Sequence, residues 1–155
     1  MADVDTERLI PIVTGIQLNA ELGDRPLAYR IEQAVREYLA AALPQRPAGE
    51  LPPLAPAVVS DVFYLNTEAL QSRPTISIGG PGVNAVSAML VEQLPTALAI
   101  DDTLLIQMGL EGDDLRSAVW GMNHLDTVRA CDTFLAKGYL DTFLKRVIAR
   151  EELNS

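Results

Sequence analysis

The sequence predicts a single α/β domain with a Rossmann-like layered fold, in which helices cover a mainly parallel sheet. Short apolar runs typical of buried strands alternate with amphipathic segments typical of helices. The clearest passage from strand to helix contains a tight glycine loop at residues 79–84. The chain has 155 residues, of which 48% are apolar and 21% charged, values typical of one globular domain. We therefore expect residues 1–155 to fold as one unit.

The first half of the chain predicts two strands around one helix. Residues 9–16 are apolar and β-branched, and Asp24 can cap a helix that carries an apolar stripe and ends before Pro44. Residues 44–56 contain half of the chain's ten prolines, so we expect a stiff connection across the surface. Residues 57–65 are predicted to form the second strand.

The second half predicts three more strands and three helices. Residues 75–78 form a strand that enters the glycine loop, and a helix should follow as far as Leu94, before Pro95. Strands at 104–108 and 117–120 are too close in sequence for a helical crossover, so we expect them to pair antiparallel or to lie at different edges. Two amphipathic helices end the chain, separated by Gly138 as a left-handed C-terminal residue.

The glycine loop is the first candidate binding site. Gly79, Gly80 and Gly82 allow close approach of a ligand, and the N–H groups of residues 83–85 could point at an anion at the start of the helix. Asn84 could cap the helix or orient a ligand. The loop contains no lysine or arginine and matches neither common phosphate-binding fingerprint. Three interpretations stay open: a tight structural turn, a site for a small polar or phosphorylated ligand such as an anion or nucleotide, or an interaction surface.

A second glycine turn follows the strand that ends at Trp120. Residues 121–127 read Gly-Met-Asn-His-Leu-Asp-Thr, and either Asn123 or Asp126 can cap the next helix. Loops at the carboxyl ends of parallel strands gather at one edge of a sheet. We therefore expect one cleft to be lined by Asn84, Asn123, His124, Asp126 and Thr127, beside the three loop glycines.

The two turns together resemble a known class of module. Ile78-Gly-Gly-Pro-Gly-Val-Asn84, followed by Trp120-Gly-Met-Asn-His-Leu-Asp-Thr127, is similar to the paired Gly-Gly and Gly…Asp-Thr turns of Rossmann-like cell-surface modules. These modules are bacterial cell-wall-binding repeats and archaeal surface-layer domains. The resemblance covers residues 75–137 and implies a strand-and-helix architecture and a role at the cell surface.

The sequence favours a noncatalytic protein without a metal. His124 and Cys131 are the only histidine and thiol, and on one helix they would be separated by about 10 Å of rise, beyond the reach of a base. Asp61 is predicted inside a strand, where a carboxylate needs a partner such as Arg25, Arg30 or Arg73. The other acidic groups fit solvated turns better than a cation site: Asp101, Asp102, Glu111, Asp113 and Asp114.

The charge balance limits the expected partners. Twelve basic and 21 acidic side chains give a net charge of −9, which disfavours nucleic acid. No stretch is apolar enough to span a membrane and the N-terminus is acidic, so we expect a cytoplasmic protein that does not enter membranes. The alternative to ligand binding is a protein-interaction module, with the C-terminal helix or the proline-rich segment at a homodimer surface.

Overall fold

The computed structural model describes residues 6–111 and 115–153. The strands are β1 Leu9–Thr14, β2 Ala55–Ser60, β3 Thr75–Ile78, β4 Thr96–Ile100, β5 Leu104–Gly109 and β6 Arg116–Gly121. The α-helices are α1 Arg25–Ala42, α2 Asp61–Leu65, α3 Glu68–Gln71, α4 Ala85–Leu90, α5 His124–Ala136 and α6 Tyr139–Leu153. A π-helical turn, Ala20–Asp24, runs directly into α1. Asp113 and Asp114, predicted in a solvated turn, lie outside the described residues.

The six strands form one mixed sheet in the order β2-β1-β3-β6-β5-β4. The first four are parallel to one another, β5 pairs antiparallel with β6, and β4 pairs antiparallel with β5. The α/β class is confirmed, as is the antiparallel pairing predicted for residues 104–108 and 117–120. The expectation of a mainly parallel sheet describes only β2, β1, β3 and β6.

Helices cover both faces of the sheet. On one face, α1, α5 and α6 pack on β1, β3 and β6 through the larger apolar core, in which Ile12, Ile78 and Phe134 are fully buried. On the other face, α2, α3 and α4 pack through a smaller cluster that includes Tyr64 and Leu90. Both clusters lie beneath the carboxyl ends of β1 and β3, so the loops that follow these strands rest on a packed base.

The predicted second strand is wrong beyond Ser60. β2 spans Ala55–Ser60, and a helical turn begins at Asp61 because the Ser60 hydroxyl accepts the N–H group of Phe63 at 3.0 Å, a typical N-cap bond. The proline-rich segment is exposed from Pro44 to Pro52 and then enters β2.

The predicted ion pair of Asp61 is also wrong. Its carboxylate is buried but accepts backbone N–H groups, from Val62 and from Ala85, both at 2.8 Å. Because backbone donors can stabilise a buried carboxylate, no arginine is needed there.

The helix after the glycine loop is shorter than predicted. α4 ends at Leu90 instead of continuing to Leu94, and the Gln107 amide donates to the carbonyls of Val91 and Leu94 in the turns that follow. The sequence did not predict β4, which begins directly after Pro95. Gly138 has φ +79, which confirms it as the left-handed residue between α5 and α6.

Candidate functional site

Three loops that follow parallel strands enclose a cleft of about 850 Å³. They leave the carboxyl ends of β1, β3 and β6, which lie at the same edge of the sheet. Both glycine turns therefore line one cleft, as the parallel arrangement predicts. The lining residues are Asn19, Leu22, Gly23, Asp24, Gly80, Pro81, Gly82, Val83, Trp120, Gly121, Met122, Asn123, His124 and Thr127.

The first glycine of the loop, Gly79, is required for structural reasons. Gly79 has φ +105, and a Cβ there would lie 2.5 Å from Asp24 Oδ2. Gly80 has ordinary space beside Trp120, and a Cβ at Gly82 would meet no atom within 4 Å. Gly82 therefore faces open space in the cleft, whereas Gly79 fixes the turn.

Three N–H groups at the start of α4 are already bonded within the protein. Those of Val83 and Asn84 donate to the Gly80 carbonyl at 3.1 and 2.9 Å, and that of Ala85 donates to the Asp61 carboxylate at 2.8 Å. The expectation that these three groups point freely at an anion is therefore wrong. The Asp61 carboxylate also occupies the position at the start of α4 that an anion would take.

Asn84 does not line the cleft; it is buried and forms hydrogen bonds with several elements. Its Oδ1 caps α4 by accepting the N–H groups of Val86 and Ser87, as the sequence predicts. Its Nδ2 donates to three buried acceptors: Val13 O, Ser77 Oγ and Ile78 O, at 3.1, 3.0 and 2.9 Å. Asn84 is 1% exposed, so its amide joins β1, β3 and α4 and has no group left for a ligand.

The second turn is held by its own side chains. Asn123 Oδ1 accepts the Asp126 N–H at 2.9 Å, which confirms Asn123 as the N-cap of α5. The Thr127 hydroxyl accepts the Gly121 N–H at 3.0 Å and donates to the Asn123 carbonyl. Gly121 is required because a Cβ there would lie 2.4 Å from Asp126 Cβ. This network fixes the cleft wall that carries His124.

The structure separates the predicted site residues into two groups. Those that line the cleft are Gly80, Gly82, Asn123, His124 and Thr127. Those that lie behind its wall are Gly79, Asn84 and Asp126. The Asp126 carboxylate is largely buried and lies 3.7 Å from the Arg129 guanidinium.

Asp24 lines the cleft, although the sequence predicts it as a helix cap. The π turn continues into α1, so Asp24 has helical angles (φ −83, ψ −32) and its side chain makes no capping bond. The residue is only 6% exposed. No side chain or N–H group of the described residues bonds its carboxylate. Burial raises the pKa of Asp24 to about 6, an effect that His124 partly offsets.

His124 stands at the first position of α5 and forms part of the same wall as Asp24. A Cβ at Gly23 would lie 2.7 Å from His124 Nδ1, so the imidazole packs closely on the backbone just before Asp24. Cys131 is fully buried, and burial raises the pKa of its thiol to about 12, so it stays a neutral core residue. Of the described residues that line the cleft, those with titratable side chains are Asp24, a carboxylate, and His124, an imidazole.

The rest of the cleft is largely apolar. Trp120 lies beneath Gly80, and Leu22 and Met122 stand at the mouth with 72% and 68% of their surface exposed. Among the described residues that line the cleft, none is lysine or arginine. The cleft thus combines an acidic group and amide and imidazole groups with an apolar wall.

Within residues 6–111 and 115–153, no three histidine, cysteine, aspartate or glutamate side chains are grouped so that they could hold a metal ion. No helix in the described part of the chain is long and apolar enough to cross a membrane. No protein-family model matches the chain, and no curated protein is significantly similar to it in sequence.

Proposed function

We propose that this protein binds a small polar molecule in the cleft, without catalysing a reaction on it. The observation that carries the proposal is the convergence of the two glycine turns and the buried Asp24 on one cleft of about 850 Å³. This volume lies in the range of small-molecule sites, and so does the mixture of an apolar wall with a few polar groups.

The contacts favour a polar ligand over a phosphorylated one. The loop N–H groups that would hold a phosphate are bonded to Gly80 and Asp61, and no cationic side chain lines the described cleft. Two of the polar lining residues, Asp24 and His124, instead offer an acceptor and a ring nitrogen to a ligand's polar groups.

A Rossmann-like relationship for the fold belongs to the same proposal. The parallel strands run β2-β1-β3-β6, so the chain order reverses between β1 and β3. Ligands of open α/β sheets bind outside the carboxyl ends of strands near such a reversal. The cleft lies at the carboxyl ends of these strands, beside the reversal and toward β6, which supports ligand binding. The cell-surface role implied by the resemblance of residues 75–137 stays a prediction.

A thermal-shift and NMR screen with small polar molecules tests the proposal when it is run with a blocking variant. Gly82→Leu adds bulk to open space in the cleft, where no neighbouring atom opposes a Cβ. Ala41→Leu adds the same kind of bulk to the exposed side of α1 and serves as the control. Hits should bind the wild type and Ala41→Leu equally and lose affinity for Gly82→Leu. If hits bind Gly82→Leu as tightly as the wild type, the cleft is not the site.

Homodimer assembly is the second candidate, and an exposed apolar rim favours it. Leu18, Leu22, Met122 and Leu125 are each at least 66% exposed, and Leu22 and Met122 lie at the mouth of the cleft. Leu18 and Leu125 do not line the cleft. The variant Leu18→Glu/Leu125→Glu therefore tests assembly without changing the lining. Light scattering should show a dimer that this variant converts to a monomer, and a monomeric wild type at high concentration would exclude this candidate.

A further inference from the structure

We propose that the ligand is a small organic cation, such as a protonated amine with an apolar substituent, whose charge pairs with Asp24. This inference rests on the proposed function and names the class of ligand that the cleft takes.

Asp24 is a carboxylate that the fold buries without a partner. It is 6% exposed, lines the cleft, and makes no hydrogen bond or ion pair with the described residues. A buried carboxylate in this state is unstable relative to one in water, and a cation that reaches it restores the lost interactions. In the protein without a ligand, the Asp24 carboxylate is therefore available to pair with a positively charged group.

The arginine that follows Asp24 in the sequence has other partners. Arg25 donates to Glu21 Oε1 at 3.3 Å and to the Tyr29 hydroxyl at 3.0 Å, along the outer surface of the helix. On the next turn, Arg30 pairs with Asp132 of α5. Both arginines have other partners, and the His124 imidazole, which also acts on Asp24, makes no hydrogen bond with it, so the carboxylate can still pair with a cation from outside the protein.

The charges around Asp24 favour a cationic ligand over an anionic one. The described residues that line the cleft include no lysine or arginine. The whole chain carries a net charge of −9. An anionic ligand would meet repulsion without a compensating donor, whereas a cation is attracted both locally and at long range.

The apolar wall of the cleft fits the rest of such a ligand. Trp120 lines the cleft beneath Gly80, and Leu22 and Met122 stand at its mouth. An indole attracts a cation through its ring as well as through dispersion with an apolar substituent. A compact ammonium ion with an aromatic or aliphatic group would thus contact both kinds of surface.

Three probes that share a benzyl or phenyl group separate charge from shape: benzylammonium, benzyl alcohol and benzoate. Their dissociation constants are measured by NMR titration of the full chain at pH 8 and low ionic strength. Benzylammonium should bind most tightly and benzoate least. The isosteric variant Asp24→Asn should weaken benzylammonium binding by about tenfold or more and change benzyl alcohol binding much less, because only the ammonium group carries a charge that the carboxylate attracts.

The matched control is Asp141→Asn, which removes an exposed carboxylate on α6 that does not line the cleft. It should leave all three affinities unchanged. If benzyl alcohol binds the cleft as tightly as benzylammonium, and Asp24→Asn has no effect, the cation inference is overturned and the binding function stands. If no probe shifts the resonances of cleft residues, the cation inference is overturned, and the broader screen with Gly82→Leu decides the binding function independently.

Discussion

Among individual residues, Asp24 lowers the stability of the free protein while it provides a group that a ligand can bind. The fold removes most of this side chain from water and gives its carboxylate no hydrogen bond from the described residues, and burial raises its pKa to about 6 against an ordinary value of 3.8. A group held in this way destabilises the free protein and is available to a ligand. Binding sites often hold residues in such unfavourable states.

The effect of Asp24 on stability should depend on pH. Between about pH 4 and pH 6 the folded state keeps a proton that the unfolded state releases, so stability falls as pH rises through this window. The cost is absent below about pH 4 and complete above about pH 6. A shift of this size corresponds to at most about 3 kcal/mol, which screening by water in the cleft reduces to about 1 kcal/mol. The other titratable and charged groups that act in this region are His124, Cys131, Arg30 and Asp132.

Asp24→Asn should therefore raise the free energy of unfolding at pH 8 by about 1 kcal/mol and have little effect at pH 4. Urea unfolding at both pH values measures the difference. Asp132→Asn is the control of opposite sign, because it removes an exposed ion pair with Arg30 and should lower stability by up to about 1 kcal/mol. A gain for Asp24→Asn that is the same at both pH values would contradict burial as the cause.

Two asparagines that cap helices should differ strongly in their contribution to stability. Asn84 makes five hydrogen bonds and is 1% exposed, so Asn84→Ala should cost about 3 to 4 kcal/mol, since it leaves several buried groups unpaired. Asn123→Ala loses one capping bond and should cost about 1 kcal/mol. Urea unfolding of both variants measures the difference. Equal losses would show that the Asn84 donors contribute little.

Among the elements, the loops after β1 and β3 meet backbone to backbone. A Cβ at Gly15 would lie 1.7 Å from the carbonyl oxygen of Val83, a contact that only a shift of backbone can relieve. This approach closes the gap between the two loops and holds the glycine loop against the π turn. The cleft is thereby displaced toward β6, where the second glycine turn forms its other wall.

Gly15→Ala should consequently destabilise the protein by about 3 kcal/mol, the upper range for overpacking. Gly82→Ala is the matched control in the loop that Gly15 contacts, and it should change stability by less than about 1 kcal/mol, because its added methyl meets no atom within 4 Å. Chemical unfolding with circular dichroism compares the two variants. If both cost the same, the Gly15 contact does not determine the loop position.

The elements also show which structural features the sequence patterns can predict and which they cannot. The strand at 75–78, the cap at Asn84 and the turn at 121–127 could be predicted, because each depends on residues close in sequence. β4 could not, because its Thr-Ala-Leu-Ala-Ile segment is half exposed at a sheet edge and lacks the burial that marks a strand.

The position of Asp24 in the cleft could not be predicted from its sequence neighbours, for a related reason. An aspartate two residues before a proline matches a helix cap, and only the π turn, which adds a residue to one turn of helix, places its carboxylate in the cleft. Three of the predicted site residues turned out to support the loops instead, since the sequence shows which residues are near the turns but not which way their side chains point.

On the scale of the whole molecule, the edges of the sheet determine where the sheet can unfold locally or pair with another chain. β3 and β6 are each paired on both sides, and all four β3 residues are buried. Among the described strands β4 pairs only with β5, and it has a register shift near Thr96 and exposes most of its side chains. Local stability should therefore fall from the centre of the sheet toward β4.

Amide hydrogen exchange at low protein concentration should show this gradient. The amides of Ile76 and Ile78 should exchange at rates close to global unfolding, whereas those of β4 that face away from β5 should exchange orders of magnitude faster. Raising the concentration supplies the control. If β4 becomes protected only at high concentration, a second copy covers the open edge. If β4 is as protected as β3 in the dilute monomer, the predicted gradient is wrong, because an unpaired edge cannot retain its outward amides without a partner.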